Sequence, residues 1–490
     1  LAAQAGILRP EIRVAAGVAL AIALVGAAAW LHARPGGRVG AIALAATGVA
    51  TAYVDVIAVT TIYEWVSAPV GLVIAAIISG GGLTLARRWD SEYLGVLVLV
   101  PLIVLAPVVT GGATLLLVGF MLALSAASLP VQLGKDWISM HAARTAAATL
   151  PLMVALIGVY FDDGRDASLA GACGIAAVLA IAGALILLPR SDNRVPMALL
   201  TAAGVLPVLC VAMAADRVFA ALIAAALSAV LLSIVLIGDR LKGVDGFVRH
   251  IWAALSAISA LIAVVAAFDG HIAGPVLLAM GVVVAVAGRR DTIARWAALG
   301  YAAFGAAFYL TSAPPSTLVQ ATETAAASGI STLIASLLLI AFVVAFVWSL
   351  NIRDSAVWAG AAVVAVYVIT TFTVTVGVLI GGTGRGFFAG HMAATICWIA
   401  LAAALFIYAA RVPRADRSLP IGEGLALVAA AMAKLFLFDL GTLDGIFRVV
   451  VFIVVGLVLL GMGAGYARLL EQQDRLDVAP VTEQSGVIPD

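Results

Sequence analysis

Long apolar segments alternate with short polar connections along almost all of the 490 residues. Each segment has roughly 17 to 25 mostly apolar residues, which is enough to cross a ~30 Å hydrocarbon core at the ~1.5 Å rise of an α-helix. A transmembrane barrel would instead show strands of about ten residues with alternating polarity. The pattern therefore predicts an all-α fold, a polytopic bundle of transmembrane helices.

The apolar pattern predicts about seventeen spans. Their centres fall near residues 21, 50, 77, 101, 122, 151, 178, 204, 227, 258, 280, 303, 339, 367, 399, 430 and 457. We expect a transmembrane domain over residues 1–470 and a disordered cytoplasmic tail over residues 471–490, where the sequence turns polar and aperiodic. Because the chain starts at Leu1 without a recognisable signal peptide, we also expect that a preceding segment has been removed.

The basic residues predict how these spans are oriented. Twenty of the 27 Lys and Arg residues lie in connections after odd-numbered spans or in the C-terminal tail. Six lie on the other side, and Lys434 falls within a span. Basic residues that flank spans are retained on the cytoplasmic side. We therefore expect the N-terminus outside and the C-terminus in the cytoplasm.

The composition excludes a water-soluble chain and gives few other leads. Hydrophobic residues make up 64% and charged residues 11%, and the mean hydropathy is +1.18. The net charge of +1 gives no reason to expect a nucleic-acid partner. Cys173, Cys210 and Cys397 lie in separate apolar segments, so neither a disulfide framework nor a metal site is predicted, and no cofactor is expected.

The few charges inside or beside the spans are the candidates for function. An ionisable group in a span costs ~2.5–3.5 kcal/mol on insertion scales, and such groups pair in the bundle interior or line a path. The predicted orientation places one set of these residues in the outer half of the membrane. The candidates for substrate binding are Lys434, Asp439, Asp444, Arg448, Asp55, His391 and Arg385. Arg144 and Glu423 lie near enough to helix ends to extend their charged groups to the membrane surface.

Each candidate also has a structural interpretation. Lys434 and Asp55 could join neighbouring helices, and His391 could be a hydrogen-bonded interior histidine. Asp444 and Arg448 have the i, i+4 spacing of an ordinary helix-surface pair. Only three of the basic residues are lysines, and Lys434 is the one inside a span. A buried ammonium can change its protonation state, which favours a functional role for this residue.

The sequence contains no motif that assigns a reaction. The stretch GGTGRG at 381–386 resembles a phosphate loop, but it joins two predicted spans and follows no strand, so we expect a flexible outward loop. HExxH, GxSxG and Walker motifs are missing. No catalytic residue can be assigned, and the sequence does not decide whether the protein is an enzyme.

Both ends of the chain resemble a large bacterial family of multi-pass membrane proteins, domain of unknown function 2339. The C-terminal resemblance rests on a Lys, an Asp-Leu pair, a Leu-Asp-Gly turn, Arg-Val and a glycine in the last helix: Lys434, Asp439, Leu440, Leu443, Asp444, Gly445, Arg448, Val449 and Gly456. The N-terminal resemblance rests on Pro10, Glu11, Arg13, Thr47, Gly48 and Tyr53. Asp55 does not fit the family pattern. The resemblance implies an architecture, a preceding helix, a location in the cytoplasmic (inner) membrane of a bacterium and no particular activity.

Three functions fit these observations. The first is binding or transport of a lipid or lipid-linked envelope substrate through a polar pocket in the outer half of the membrane. The second is a membrane-embedded transferase that modifies envelope glycans or lipids, and the third is a scaffold for membrane-protein partners in envelope assembly. The first is favoured because the deep charges share the outer half. Membrane lipids are the expected partners in all three.

Overall fold

The computed structural model describes residues 9–162, 164–350, 355–413, 417–439 and 446–477. These residues form seventeen α-helices joined by short turns, without any β-strand. The chain divides into two compact units, residues 1–267 and 268–490. The first unit contains α1 (Pro10–His32), α2 (Arg38–Ile57), α3 (Ala68–Arg88), α4 (Glu92–Thr110), α5 (Leu115–Gln132), α6 (Ile138–Phe161), α7 (Ala167–Leu187), α8 (Arg194–Leu209), α9 (Arg217–Leu236) and α10 (Gly246–Ala267). The second contains α11 (Gly270–Ala287), α12 (Thr292–Ser312), α13 (Ala326–Leu350), α14 (Ser355–Gly381), α15 (Phe387–Arg411), α16 (Ser418–Lys434) and α17 (Ile446–Asp477).

The predicted fold class is confirmed, and each predicted span centre falls inside one of these helices. Within the described ranges, fifteen stretches have the length and apolar composition needed to cross a membrane. One of them, Ala356–Arg411, contains both α14 and α15, and α12 is not among the fifteen. The span count is therefore close to the predicted seventeen. The orientation in the membrane stays a prediction.

The last helix is longer than the sequence pattern suggests. The expected tail begins at residue 471, whereas α17 continues to Asp477. This segment contains Glu, Gln, Arg and Leu, which are favourable in helices, so the helix extends beyond its apolar part. Residues 478–490 lie outside the described part of the chain.

Acidic side chains fix the N-terminal ends of two helices of the first unit. The Asp166 carboxylate accepts hydrogen bonds from the backbone N–H groups of Ser168 at 2.9 Å and Leu169 at 3.3 Å, and so caps the N-terminus of α7. Glu92 Oε1 accepts from the backbone N–H of Met140 at 3.2 Å at the start of α6. These bonds satisfy donors that a helix leaves free in its first turn.

The interior of the first unit contains a buried charge that the sequence placed elsewhere. We expected Arg144 to reach the membrane surface, but this residue is only 2% exposed and packs inside the unit against Gly183 of α7. A β-carbon at position 183 would lie 2.6 Å from Arg144 Nη2. Gly183 thus leaves the space that the guanidinium occupies. The position of Arg144 near a helix end gives no sign of this space in the sequence.

In the second unit, α15 packs against α14, α16 and α17. Its backbone touches that of α14 through glycines. A β-carbon at Gly390 would lie 2.6 Å from Val374 Cα, and one at Gly377 would lie 2.2 Å from the backbone oxygen of Gly386. The GGTGRG stretch is a compact π-helical turn, Gly382–Gly386, that connects α14 directly to α15 instead of the loop we predicted. Close glycine packing explains this compactness, because the two backbones meet without side chains between them.

Candidate functional site

A groove of about 870 Å³ runs between α14 and α16. These two helices both pack on α15 but contact each other little, so α15 forms the floor of the groove. The α14 side is formed by residues with i, i+3, i+4 and i+7 spacing, which places them on one helix face. They are Ala359, Ala362, Val363, Val366, Tyr367 and Thr370.

The α16 side of the groove has the same helical spacing. Its lining residues are Ser418, Leu419, Gly422, Glu423, Ala426, Leu427, Ala430 and Lys434, followed by Phe438 in the next turn. From Ser418 to Lys434 the groove follows α16 for about 24 Å at the helical rise of ~1.5 Å per residue. Most of this wall is apolar, and an ionisable residue lies near each of its ends.

Lys434 occupies one end of the groove, at the last residue of α16. Its ammonium donates to the Thr395 hydroxyl at 2.7 Å and to the backbone oxygen of His391 at 3.2 Å, both on α15. It also lies 5.6 Å from the centre of the Phe438 ring, a distance at which a cation and an aromatic face attract each other. The ammonium is therefore held at the groove wall by Thr395 and His391 of α15 and by Phe438, which follows α16.

His391 lies beside Lys434 and is 2% exposed. Its ring packs between Phe387 and Phe438, with centroid distances of 4.5 and 4.7 Å. Neither ring nitrogen forms a hydrogen bond of ordinary geometry with a described residue, although the backbone of Leu318 is near enough to interact weakly. Buried polar atoms are normally paired, so this imidazole has capacity left for a ligand in the groove. The sequence singled out both Lys434 and His391, and the structure brings them together.

Further polar contacts position the groove walls at this end. Trp398 Nε1 on the floor donates to the Thr370 hydroxyl at 3.1 Å, which ties α15 to α14. Tyr367 donates from its hydroxyl to the backbone oxygen of Ala313. This bond anchors the segment before α13, of which Leu318 and Val319 line the groove. Sequence reasoning missed Thr370 and Trp398, because threonine and tryptophan are common within apolar spans.

Glu423 lines the groove on the side of the Ser418 end. We expected its carboxylate to reach the membrane surface, but the residue is only half-exposed and Oε1 is enclosed without a hydrogen-bond partner in the described part of the chain. An enclosed carboxylate oxygen without a donor is unfavourable, so Glu423 joins the candidate site. The i, i+11 spacing of Glu423 and Lys434 places them on the same face of α16 and could have indicated this.

The remaining candidates of this unit do not line the groove. Arg385 is exposed on the π-helical turn after α14. Arg448 is half-buried on α17, where it has an interaction of its own. The side chain of Asp439 and the whole of Asp444 lie outside the described residues. The predicted cluster is thus reduced to Lys434 and His391 where the structure can be described.

Asp55 lies in the first unit, near the end of α2. Its carboxylate packs on Gly17 of α1, where a β-carbon would lie 2.1 Å from Oδ1. Oδ2 is enclosed and has no hydrogen-bond partner among the residues that the structure describes. Among the described residues, Asp55 thus meets α1 through the surface of Gly17 and forms no ion pair.

Metal and disulfide chemistry receive no support from the described residues. No group of three or more His, Cys, Asp or Glu side chains is arranged there to hold a metal ion. Cys173, Cys210 and Cys397 are free thiols. The polar end of the groove presents an ammonium, an imidazole and an aromatic ring, those of Lys434, His391 and Phe438.

Comparison with known proteins gives one match. A profile of the family described as "Predicted membrane protein (DUF2339)" matches residues 138–469, from the start of α6 into α17. The match includes the groove and the C-terminal motif, whereas the N-terminal resemblance at Pro10 and Thr47 lies before it. Searches among curated proteins and among solved structures found no match. With its many apolar helices and this match over most of its length, the chain is a multi-pass membrane protein that belongs to the DUF2339 family.

Proposed function

We propose that this protein binds a lipid or a lipid-linked substrate in the groove between α14 and α16, with the polar head group at Lys434 and His391. The observation that carries the proposal is the combination of a long apolar wall with a cation and a buried imidazole that lacks a hydrogen bond of ordinary geometry among the described residues. An amphipathic ligand has the same division into apolar and polar parts. A groove of this volume is within the ~300–1,000 Å³ of typical ligand sites.

The apolar wall supports an acyl or prenyl chain as the occupant. Both α14 and α16 present small side chains to the groove, including Ala359, Ala362, Ala426 and Ala430. Small residues usually let two transmembrane helices approach closely, yet here they line a space. Transfer of a methylene from water into an apolar site is favourable by ~0.8 kcal/mol. A chain that enters the groove from the bilayer leaves lipid instead of water, so only better packing in the groove would stabilise it. The polar end must therefore supply much of the selectivity.

The polar end favours an anionic head group. The Lys434 ammonium can form charge-assisted hydrogen bonds with a phosphate or carboxylate oxygen, which are roughly twice as strong as neutral ones. The imidazole of His391 adds a donor or an acceptor, according to its tautomer. A phosphate-containing lipid head group satisfies both residues.

The wider form of the proposal is transport of this substrate in a bacterial inner membrane. In the predicted orientation, the Lys434 end faces outward and the Ser418 end faces the cytoplasm. A head group that moved along α16 would pass from the neighbourhood of Glu423 to that of Lys434. Binding in the groove does not require this movement, so the two steps can be measured separately.

Two neighbouring alanines provide a matched test of binding. Ala430 lines the groove and Ala429 does not, although both are exposed on α16. Native mass spectrometry of protein released from nanodiscs would count the lipids retained by wild type, Ala430→Trp and Ala429→Trp. We expect Ala430→Trp to lose a retained lipid that wild type and Ala429→Trp keep. Equal retention by all three folded proteins would contradict the proposal.

A further inference from the structure

The first unit contains a buried cation that the groove does not use. Arg144 is the seventh residue of α6 and is 2% exposed. Its Nη2 donates to Nδ1 of His141 at 2.8 Å, one helical turn earlier. Its Nε is enclosed and has no hydrogen-bond partner in the described ranges. No Asp or Glu of these ranges forms an ion pair with it, so no described residue compensates its charge.

The contact with His141 fixes the chemistry of this pair. Every guanidinium nitrogen is a donor, so His141 Nδ1 must accept, which places the imidazole proton on Nε2 and leaves the ring neutral. His141 therefore stabilises the orientation of Arg144 without supplying a negative charge. A guanidinium keeps its proton in proteins, and removing it from water without a counter-charge is strongly unfavourable.

A small cavity adjoins the guanidinium. Besides Arg144, its walls include Ser125, Thr145, Thr149 and Gly204. Thr145 and Thr149 donate their hydroxyl hydrogens to backbone oxygens at 2.9 and 3.0 Å. The Ser125 hydroxyl has no such partner among described residues. The donors still available at this cavity are thus the Arg144 N–H groups and the Ser125 O–H. Water or an anion could accept from both, but only an anion would also compensate the charge of Arg144.

The size of the cavity limits the anion. The cavity volume is about 10 Å³, close to the minimum for one water molecule. A phosphate, sulfate or carboxylate group needs room for several heavy atoms. A single-atom anion needs only small adjustments of the hydroxyl groups around it.

We propose that a halide ion of the chloride class binds in this cavity and neutralises Arg144. The site is formed by the guanidinium of Arg144 and the hydroxyl of Ser125. Gly183 is required for this site, because a side chain there would occupy the place of Arg144 Nη2 and Nη1. The inference is independent of the proposed lipid groove in the second unit.

The direct test uses bromide as a probe with the unmodified, full-length protein. Crystals grown or soaked in sodium bromide are expected to show an anomalous-scattering peak in contact with the Arg144 guanidinium. A peak there would support the site. Ordered water without anomalous signal, or an empty cavity, would overturn the proposal whether or not any variant folds.

A second measurement tests the energetic consequence in solution. The thermal unfolding midpoint of the detergent-purified protein is expected to rise with chloride concentration and saturate, at constant ionic strength made up with gluconate. Arg144→Gln is expected to abolish this response, whereas Arg194→Gln, which removes an exposed ion pair with Asp245, should retain it. A midpoint of wild type that does not depend on chloride would contradict a neutralising role.

Discussion

The ammonium of Lys434 on α16 donates a hydrogen bond of 2.7 Å to the hydroxyl of Thr395 on α15. A second bond, of 3.2 Å, goes to the backbone oxygen of His391. These two acceptors carry no formal charge, so they position the ammonium without neutralising it. The same contact thus joins two helices and holds a cation at the polar end of the groove.

The role of the Lys434 charge can be separated from its role in packing. We expect Lys434→Met to lower the affinity for an anionic phospholipid by about 10- to 100-fold, which corresponds to the ~1.5–3 kcal/mol of a charge-assisted hydrogen bond. Lys434→Arg should retain most of the affinity. Competition between phosphatidylglycerol and phosphatidylcholine in native mass spectra would measure the change.

Thr395→Val is the control for helix packing in this experiment. It removes the 2.7 Å bond but keeps the ammonium, so we expect a lower unfolding midpoint together with an intact preference for the anionic lipid. If Lys434→Met and Thr395→Val changed only the midpoint, and by similar amounts, the ammonium would serve packing alone.

The close contact of α14 and α15 predicts that Gly390 cannot be replaced. A β-carbon there would meet Val374 Cα at 2.6 Å and the Thr373 backbone oxygen at 2.7 Å, and neither atom can move without moving α14. We expect Gly390→Ala to destabilise the protein by roughly 1–3 kcal/mol, as overpacking does. Gly360→Ala on α14 is the control, since nothing lies within 4 Å of its added carbon. Equal unfolding midpoints for the two variants would argue against this contact.

For Asp55 we predict that a substitution stabilises the protein, in contrast to Gly390. Its enclosed Oδ2 has no partner in the part of the chain that the structure describes, so the charge is held at a cost. We expect Asp55→Asn to accumulate in membranes at least as well as wild type and to raise the unfolding free energy by up to about 1 kcal/mol. A marked loss of folded protein would show that the carboxylate has a stabilising partner.

The cap of α7 predicts a pH dependence. A hydrogen bond from the Ser168 hydroxyl holds the pKa of the Asp166 carboxyl below its usual value. A lowered pKa in the folded state means that the capping contribution is complete above the unfolded value of about 3.9 and is lost as the pH falls through the folded value. We expect Asp166→Ala to cost about 1 kcal/mol at pH 6, and this cost should shrink towards pH 3.

Asp166→Asn is the matched variant for that titration. Asparagine caps helices about as well as aspartate but does not titrate, so Asp166→Asn should match wild type at pH 6 and should become more stable than wild type towards pH 3. If the unfolding midpoint of Asp166→Asn fell with pH as steeply as that of wild type, the dependence would belong to other groups.

The helices were predictable from the sequence because apolar length alone determines a membrane span. All of the predicted centres, including the weakly apolar one near residue 303, lie in helices. Lys434 and His391 were also accessible to sequence reasoning, since ionisable residues are rare within spans. Their proximity was not, because it depends on the contact of α15 with α16.

The groove itself could not be predicted, because it results from how far α14 lies from α16. The alanines of α16 look the same in the sequence whether they face lipid, a neighbouring helix or a groove. Arg144 illustrates the same limit. Its position near the start of a helix predicted that its charged group reaches the membrane surface. The absence of a side chain at Gly183 instead leaves room for the guanidinium in the interior.

Direct observation of the groove tests the central claim. A cryo-EM map of the wild-type protein in nanodiscs made from a bacterial lipid extract would show what lies between α14 and α16. The account predicts elongated density along Ala426 and Ala430 that ends in a head group in contact with Lys434 and His391. A groove closed by α14 against α16, or a chain whose head group lies away from Lys434, would contradict it.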